Sequence, residues 1–257
     1  MRLKSNQFDV RNPEYLQRFQ VFACQKSLKQ ILDPIKLLGK KDLIVGDLMC
    51  GTGKVGKTIF EQFGNYISEL YFIDGSEWML SSIHCKKYWK KTKALSEDLP
   101  FGCDTFDVIV CRYGFNNIEK HQYLTTLKEC LRVLQKKGIL IIQDLFGKDM
   151  ASNRLINKIE RTIALCDGRN DAPYNASVLE MNGLISESGG ELISQVEFWL
   201  SYSIEERFRA KDANQETITR FKQDCPKTEM KNLQVKEVNE DLHVSLPITT
   251  LVIKKQD

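Results

Sequence analysis

Residues 47–60 read DLMCGTGKVGKTIF, and two nucleotide-binding patterns fit them at once. Residues 51–58, G-T-G-K-V-G-K-T, satisfy the P-loop spacing, with four residues between Gly51 and Gly56 and then Lys57 and Thr58. The same Gly51, Gly53 and Gly56 spell G-x-G-x-x-G, the turn of a Rossmann-type βαβ unit. The first reading predicts a phosphate cradle with magnesium. The second predicts an adenosine cofactor lying over a strand-to-helix turn.

Two acids separate the readings. Asp47 stands inside an apolar run, where an unpaired carboxylate is costly to bury. Beside a phosphate it would repel; beside a cofactor carrying an amino group it has a use. Its bland role would be to accept from the backbone of the glycine loop. Asp74 follows Gly53 by 21 residues, near the place of a ribose-binding carboxylate, and it can also cap the helix that follows. A P-loop would need an acid for magnesium, for which Asp144 in ILIIQD is the candidate, and would make Lys57 its catalytic lysine. The Rossmann-type reading uses both acids and leaves Lys57 on an exposed helix position.

Outward from this turn, apolar runs and helical patterns alternate. Residues 8–38 carry a helical repeat that stops at Gly39. DLIVGDLMC, ELYFIDG, FDVIVCRYG and ILIIQDLF read as buried strands. KVGKTIFEQFG, EWMLSSIHCKKYWKKT and HQYLTTLKECLRVLQKKG read as helices, the second capped by Ser76 and the third stopped by Gly138. Residues 150–190 read as mostly helical and polar. ELISQVEFWLSYS, LQVKEVNE and LHVSLPITTLVIKK read as strands, the last two as a hairpin. This order predicts an α/β, Rossmann-like, doubly wound, mostly parallel seven-stranded sheet with a C-terminal antiparallel strand and a helical cap. One domain is expected over residues 1–257: a cap at 1–40, a cofactor-binding half at 41–146, then a lid and C-terminal strands at 147–257.

Four segments, in order, resemble the class I S-adenosylmethionine-dependent methyltransferases: DLMCGTG, YFIDGSEWML, EDLPFGCDTFDVIVCR, and the stretch from RYGFNN to ILIIQD. The resemblance covers roughly residues 47–144. It implies S-adenosylmethionine as cofactor, with Asp47, Met49, Gly51 and Gly53 at its methionine end. Asp74 would take the ribose hydroxyls, and Gly75 and Met79 would flank the adenine. Leu95 stands where the family has an adenine-binding Asp, so backbone groups of Leu95 and Ser96, or Glu97, are expected there instead. Cys111 and Arg112 correspond to residues on the sulfonium side, Arg112 being equally a candidate structural ion-pair partner. FDVRNPEYLQRF resembles the family's cap, with Tyr15 closing over the cofactor or packing a helix.

YGFNNIEK resembles a segment of the ubiquinone/menaquinone C-methyltransferase branch, with Asn116 in place of an arginine. Arg169, Asn170, Asp171 and Tyr174 fall where that branch builds a substrate lid. His121, one of three histidines, is a weak candidate general base and more simply a surface residue.

Composition narrows the partners. With 42% hydrophobic and 28% charged residues the chain is an ordinary water-soluble globular sequence, and a net charge of +3 gives no nucleic-acid footprint. CRYG stands where nucleic-acid amino methyltransferases have an Asn/Asp-Pro-Pro-aromatic motif, so a small-molecule acceptor is expected and no nucleic acid. No run suits a membrane span or a signal peptide, and eight scattered cysteines without C-x-x-C fit a reducing cytoplasm and no metal site. The lysines at 86, 87, 90, 91 and 93 read as a solvated helix face. Alternatives carried forward are a P-loop nucleotide-binding protein and a non-catalytic cofactor-binding member of the methyltransferase fold. Oligomeric state is left open.

Overall fold

The computed structural model describes residues 25–84, 86–166, 174–209, 213–224, 235–238 and 241–256. Helix α1 spans Gln25–Leu37 and buries Leu28, Ile31 and Ile35 along one stripe. It ends at Gly39, whose φ of 58° is the left-handed stop that glycine permits. Strand β1 (Leu43–Leu48) runs into the glycine turn and helix α2 (Lys54–Phe63). Strand β2 (Ile67–Asp74), the short helix α3 (Glu77–Ser81) and strand β3 (Trp89–Lys93) follow. Then come β4 (Phe106–Arg112), α4 (Tyr123–Val133) and β5 (Leu134–Leu145). The remainder is α5 (Met150–Cys166), α6 (Val178–Glu187), β6 (Gly190–Ser203), α7 (Ile204–Arg209), α8 (Gln215–Asp224), β7 (Lys236–Val238) and β8 (Asp241–Lys255).

These strands form one sheet in the order β3-β2-β1-β4-β5-β8-β6, with β7 paired to β8. β1 to β5 are parallel to their neighbours, and β8 lies antiparallel between β5 and β6. All seven segments read as strands form strands, LQVKEVNE contributing the three-residue β7 that pairs with β8 as the expected hairpin, and β3 is an eighth strand that was not expected. Strand residues alternate between two cores, as a sheet covered on both faces requires. Val45, Val108, Val110 and Ile141 pack with α1 and α2, whereas Leu48, Ile109, Leu140 and Ile142 pack with α4 and α6. A third core joins α5, α7 and α8 to the outer halves of β6 and β8.

The helix expected over residues 77–92 stops after one turn, with Ser76 capping it through a 3.3 Å bond from the Met79 N–H. The lysine run is instead an edge strand. Trp89 turns inward onto Phe72 and Phe60, at 5.2 and 5.5 Å between ring centroids, and Leu70 pairs with Trp89 in register. Lysines on an exposed edge deter further pairing, and Lys91 also donates to the Leu80 and Ile83 carbonyls at the end of α3. Gly138 is likewise no helix stop. It lies inside β5, where a Cβ would stand 2.8 Å from the Asp107 carbonyl, and the pairing with β4 jumps from Phe106↔Leu134 to Val108↔Ile139 just there.

Candidate functional site

The sheet's strand order reverses between β1 and β4, and a crevice at such a point is where open α/β sheets place ligands. The glycine turn leaves β1 there. Gly51 and Gly53 have φ of 54° and 73°, and so does Met49 at 52°, without the freedom of glycine. Gly53 and Gly56 are needed for close packing: a Cβ on either would lie 2.7 Å from the Phe72 ring. Gly51 differs, since a Cβ there would meet nothing nearer than the Met79 sulfur at 4.0 Å. Among the described residues nothing else crowds that side of Gly51.

Asp74 organises this turn. Its Oδ2 accepts from the Gly51 N–H at 2.8 Å and its Oδ1 from the Ser76 N–H at 2.9 Å. Burial pushes its carboxyl above the usual range, against the pull of those two N–H groups. Asp47, 1% exposed, accepts from the Gly56 N–H at 2.8 Å, the local role foreseen for it. Burial raises Asp47 to about 8, with the nearby Asp74 adding to the shift. Among the described residues no lysine or arginine forms an ion pair with Asp47. The Gly56 N–H and the Arg112 and Lys57 charges nearby pull the other way without offsetting the burial, so a cation brought into contact with Asp47 would be favoured there.

Lys57, required at the phosphates by a P-loop, turns back on the turn and donates to the Thr52 carbonyl at 2.8 Å. With Asp47 and Asp74 beside it, the turn is a poor anion cradle.

The other expected residues divide. Gly75 and Leu95 sit together, a Gly75 Cβ lying 3.6 Å from Leu95, which is 40% exposed, while Met79 is buried with its sulfur 4.0 Å from a Cβ built on Gly51. Ser96 is buried against Thr126 at 3.0 Å, and Glu97 holds Gln122 at 2.5 Å and Ser96 at 3.1 Å. Cys111 is fully buried, and burial drives its thiol well up. Cys50 is half-buried, its Sγ 3.5 Å from the Gly51 carbonyl. Arg112 donates to Gln143 at 2.7 Å and to Ser27 of α1 at 3.0 Å, tying β4 to β5 and the helix before β1. His121 is exposed and stands 3.3 Å from Glu119. Tyr174 is bonded to Glu180 at 2.5 Å and accepts from Tyr123 through its carbonyl at 2.6 Å. Tyr15, Arg169, Asn170 and Asp171 lie outside the described residues.

Two further residues border the site. Tyr113 follows β4 with φ of 53°, and the Arg112 guanidinium lies 4.7 Å over its ring. Left-handed backbone at residues of this bulk costs about 1–3 kcal/mol and clusters at functional sites; nothing in the sequence marks it. Asp144, at the end of β5, is 1% exposed and accepts from Leu145 at 2.8 Å and Asn116 at 3.3 Å. Burial raises it to about 7. An acid inside an apolar run was its signal, as for Asp47.

A family model described as a methyltransferase domain matches residues 45–138. A ubiquinone/menaquinone biosynthesis C-methyltransferase of Campylobacter jejuni is 32% identical over 125 residues, 47% of this chain and 49% of that protein. The chain thus spans about half the length of that curated relative. An uncharacterized protein of Methanocaldococcus jannaschii is 26% identical over 195 residues, 73% of this chain and 82% of its own. Among solved structures, a Bacillus halodurans protein superposes with a TM-score of 0.72 at 16% identity, covering 90% of this chain and 98% of that one. At such identity the likeness is one of fold.

Proposed function

Because this chain belongs, through its domain at residues 45–138, to the class I S-adenosylmethionine-dependent methyltransferases, we propose that it transfers a methyl group to a small-molecule acceptor. One observation carries the cofactor assignment: a left-handed glycine turn flanked by the buried Asp47 and the half-buried Asp74, neither of which forms an ion pair among the described residues. Asp47 would accept from the ammonium of the cofactor's amino-acid end. Asp74, with one N–H already on each oxygen, keeps lone pairs for the ribose hydroxyls. Gly75 and Met79 would flank the adenine, with Leu95 offering apolar surface where the family has a carboxylate.

Bound there, S-adenosylmethionine supplies a methyl already activated by its sulfonium, so the transfer is a displacement that needs alignment and dryness more than acid–base help. The chain's own task is then to hold, orient and exclude water. This reading gives no step to His121, which is exposed beside Glu119. Similarity to the Campylobacter C-methyltransferase favours a small-molecule acceptor and carbon as the atom methylated.

The test is calorimetric titration with S-adenosylhomocysteine, beside ATP with magnesium, on wild type and Asp74→Ala. Binding of the first alone, weakened by the substitution, supports the assignment. Binding of ATP alone would overturn it. Methyl transfer from labelled cofactor to small phenols and enols, against RNA, then sorts the acceptor; tight binding without turnover would favour a non-catalytic member of the fold.

A further inference from the structure

The segment after β4 packs directly on the glycine turn. An ideal Cβ on Gly114 would stand 2.9 and 3.0 Å from Met49 Cε and Cβ, so the backbone at Gly114 and the Met49 side chain are already in close contact. Met49 and Tyr113, at the ends of adjacent strands, are both left-handed. What holds this segment down comes from the next strand. Asp144 accepts from the Asn116 N–H at 3.3 Å, the Phe115 N–H adds to this, and its other oxygen accepts from Leu145 at 2.8 Å. The Asn117 N–H returns to the Gly114 carbonyl at 2.9 Å, and the Asn117 amide donates to the Tyr113 carbonyl at 2.7 Å, closing the turn. A continuous line therefore runs from Asp144 through Asn116 and Gly114 to Met49 and Gly51.

We propose that Asp144 is a positioning residue for the cofactor's amino-acid end: by fixing the turn at 113–117 it seats Gly114 on Met49 and sets the conformation of the glycine turn beside Asp47. The inference rests on the cofactor reading above. It separates the two halves of the site. The adenosine half is organised by Asp74, Gly75 and Ser76, which Asp144 does not touch. The amino-acid half depends on Met49 and Asp47, which the Asp144 line supports.

The experiment titrates S-adenosylhomocysteine and 5′-methylthioadenosine, which lacks the amino-acid end, into wild type and Asp144→Asn. Asparagine keeps the size but loses one acceptor oxygen. A second variant, Gly114→Ala, disturbs the same contact from the other side, since its methyl would also lie 2.5 Å from the Cys111 sulfur. The expected result in either variant is affinity for S-adenosylhomocysteine weakened at least about tenfold, as small misplacements cost, with 5′-methylthioadenosine within about twofold. Equal weakening of both ligands, as general destabilisation would produce, or no change in either, overturns the positioning role and leaves the cofactor reading intact. Failure of wild type to bind either ligand overturns both.

Discussion

Asp47 and Asp107 stand on adjacent strands at opposite ends of the sheet, both buried, and their surroundings differ. Asp107, 4% exposed, holds Lys40 in an ion pair and accepts from the Ile44 N–H at 2.9 Å, stapling the start of β1 to β4. It borders a cavity of about 430 Å³ lined also by Leu38, Gln135, Lys136 and Lys137. Asp47 has one backbone donor and, among the described residues, no ion pair, and burial drives its carboxyl to about 8 against the pull of the Gly56 N–H and of Arg112 and Lys57 nearby. An acid with its own lysine is part of the framework. An acid held only by an N–H of a glycine turn is a place for a cationic guest.

The comparison can be broken in four ways. The largest effect is expected at the organiser of the turn: Asp74→Ala removes the acceptor of Gly51 and Ser76 and should weaken S-adenosylhomocysteine about a hundredfold or more, read by calorimetry. Next, Asp47→Asn and Asp107→Asn should move stability and binding in opposite senses. The folded-state value of Asp47 is raised from 3.8 to about 8, so the folded chain keeps a proton that the unfolded chain has released, and stability falls as pH rises through that window. Asp47→Asn should remove that loss, raising Tm by several degrees above pH 8, on the order of 1–3 kcal/mol, while binding weakens at least about tenfold. Asp107→Asn should lower Tm by a few degrees, about 1–2 kcal/mol after discounting the half-exposed Lys40, with binding within twofold. A shared sign in both variants would erase the distinction.

A smaller effect should appear in wild type with pH. If the guest's ammonium needs Asp47 ionised, affinity rises by up to about tenfold per unit below pH 8, levels off above it, and binding releases a proton. Titrations in buffers of different ionisation enthalpy read that proton, and Asp47→Asn should abolish it. The smallest change belongs to Lys57→Ala, less than about threefold in cofactor affinity, since that lysine only closes on Thr52. A large loss there would revive a phosphate-binding turn.

Much of the site was legible because it depends on residues with few other reasons to be where they are. An acid inside an apolar strand and glycines at fixed spacing constrain the backbone, and Asp47, Gly51, Gly53 and Asp74 duly come together around one turn. Strand β3 was hidden because an edge strand needs few apolar residues: Trp89 is buried, while Lys90, Lys91 and Lys93 imitate a helix surface. Gly138 imitated a helix stop because close strand approach and left-handed caps ask for the same residue. Met49 was singled out for the cofactor's methionine end, but nothing in the sequence marks its left-handed backbone or that of Tyr113, since neither residue type favours it. Asp144 was noticed for magnesium, and its contacts with the turn after β4 could be seen only once β4 and β5 were side by side.

The sheet order carries a consequence for how the molecule is made. β6 precedes β8 in the chain, yet its pairing is to β8, which enters between β5 and β6. Until β8 emerges, β6 has no strand to join, and β5 presents an open edge. The five parallel strands that carry the glycine turn need nothing from β8 to pair with one another. The half that carries the glycine turn can therefore pair before β8 is made, and the late strand closes the seam.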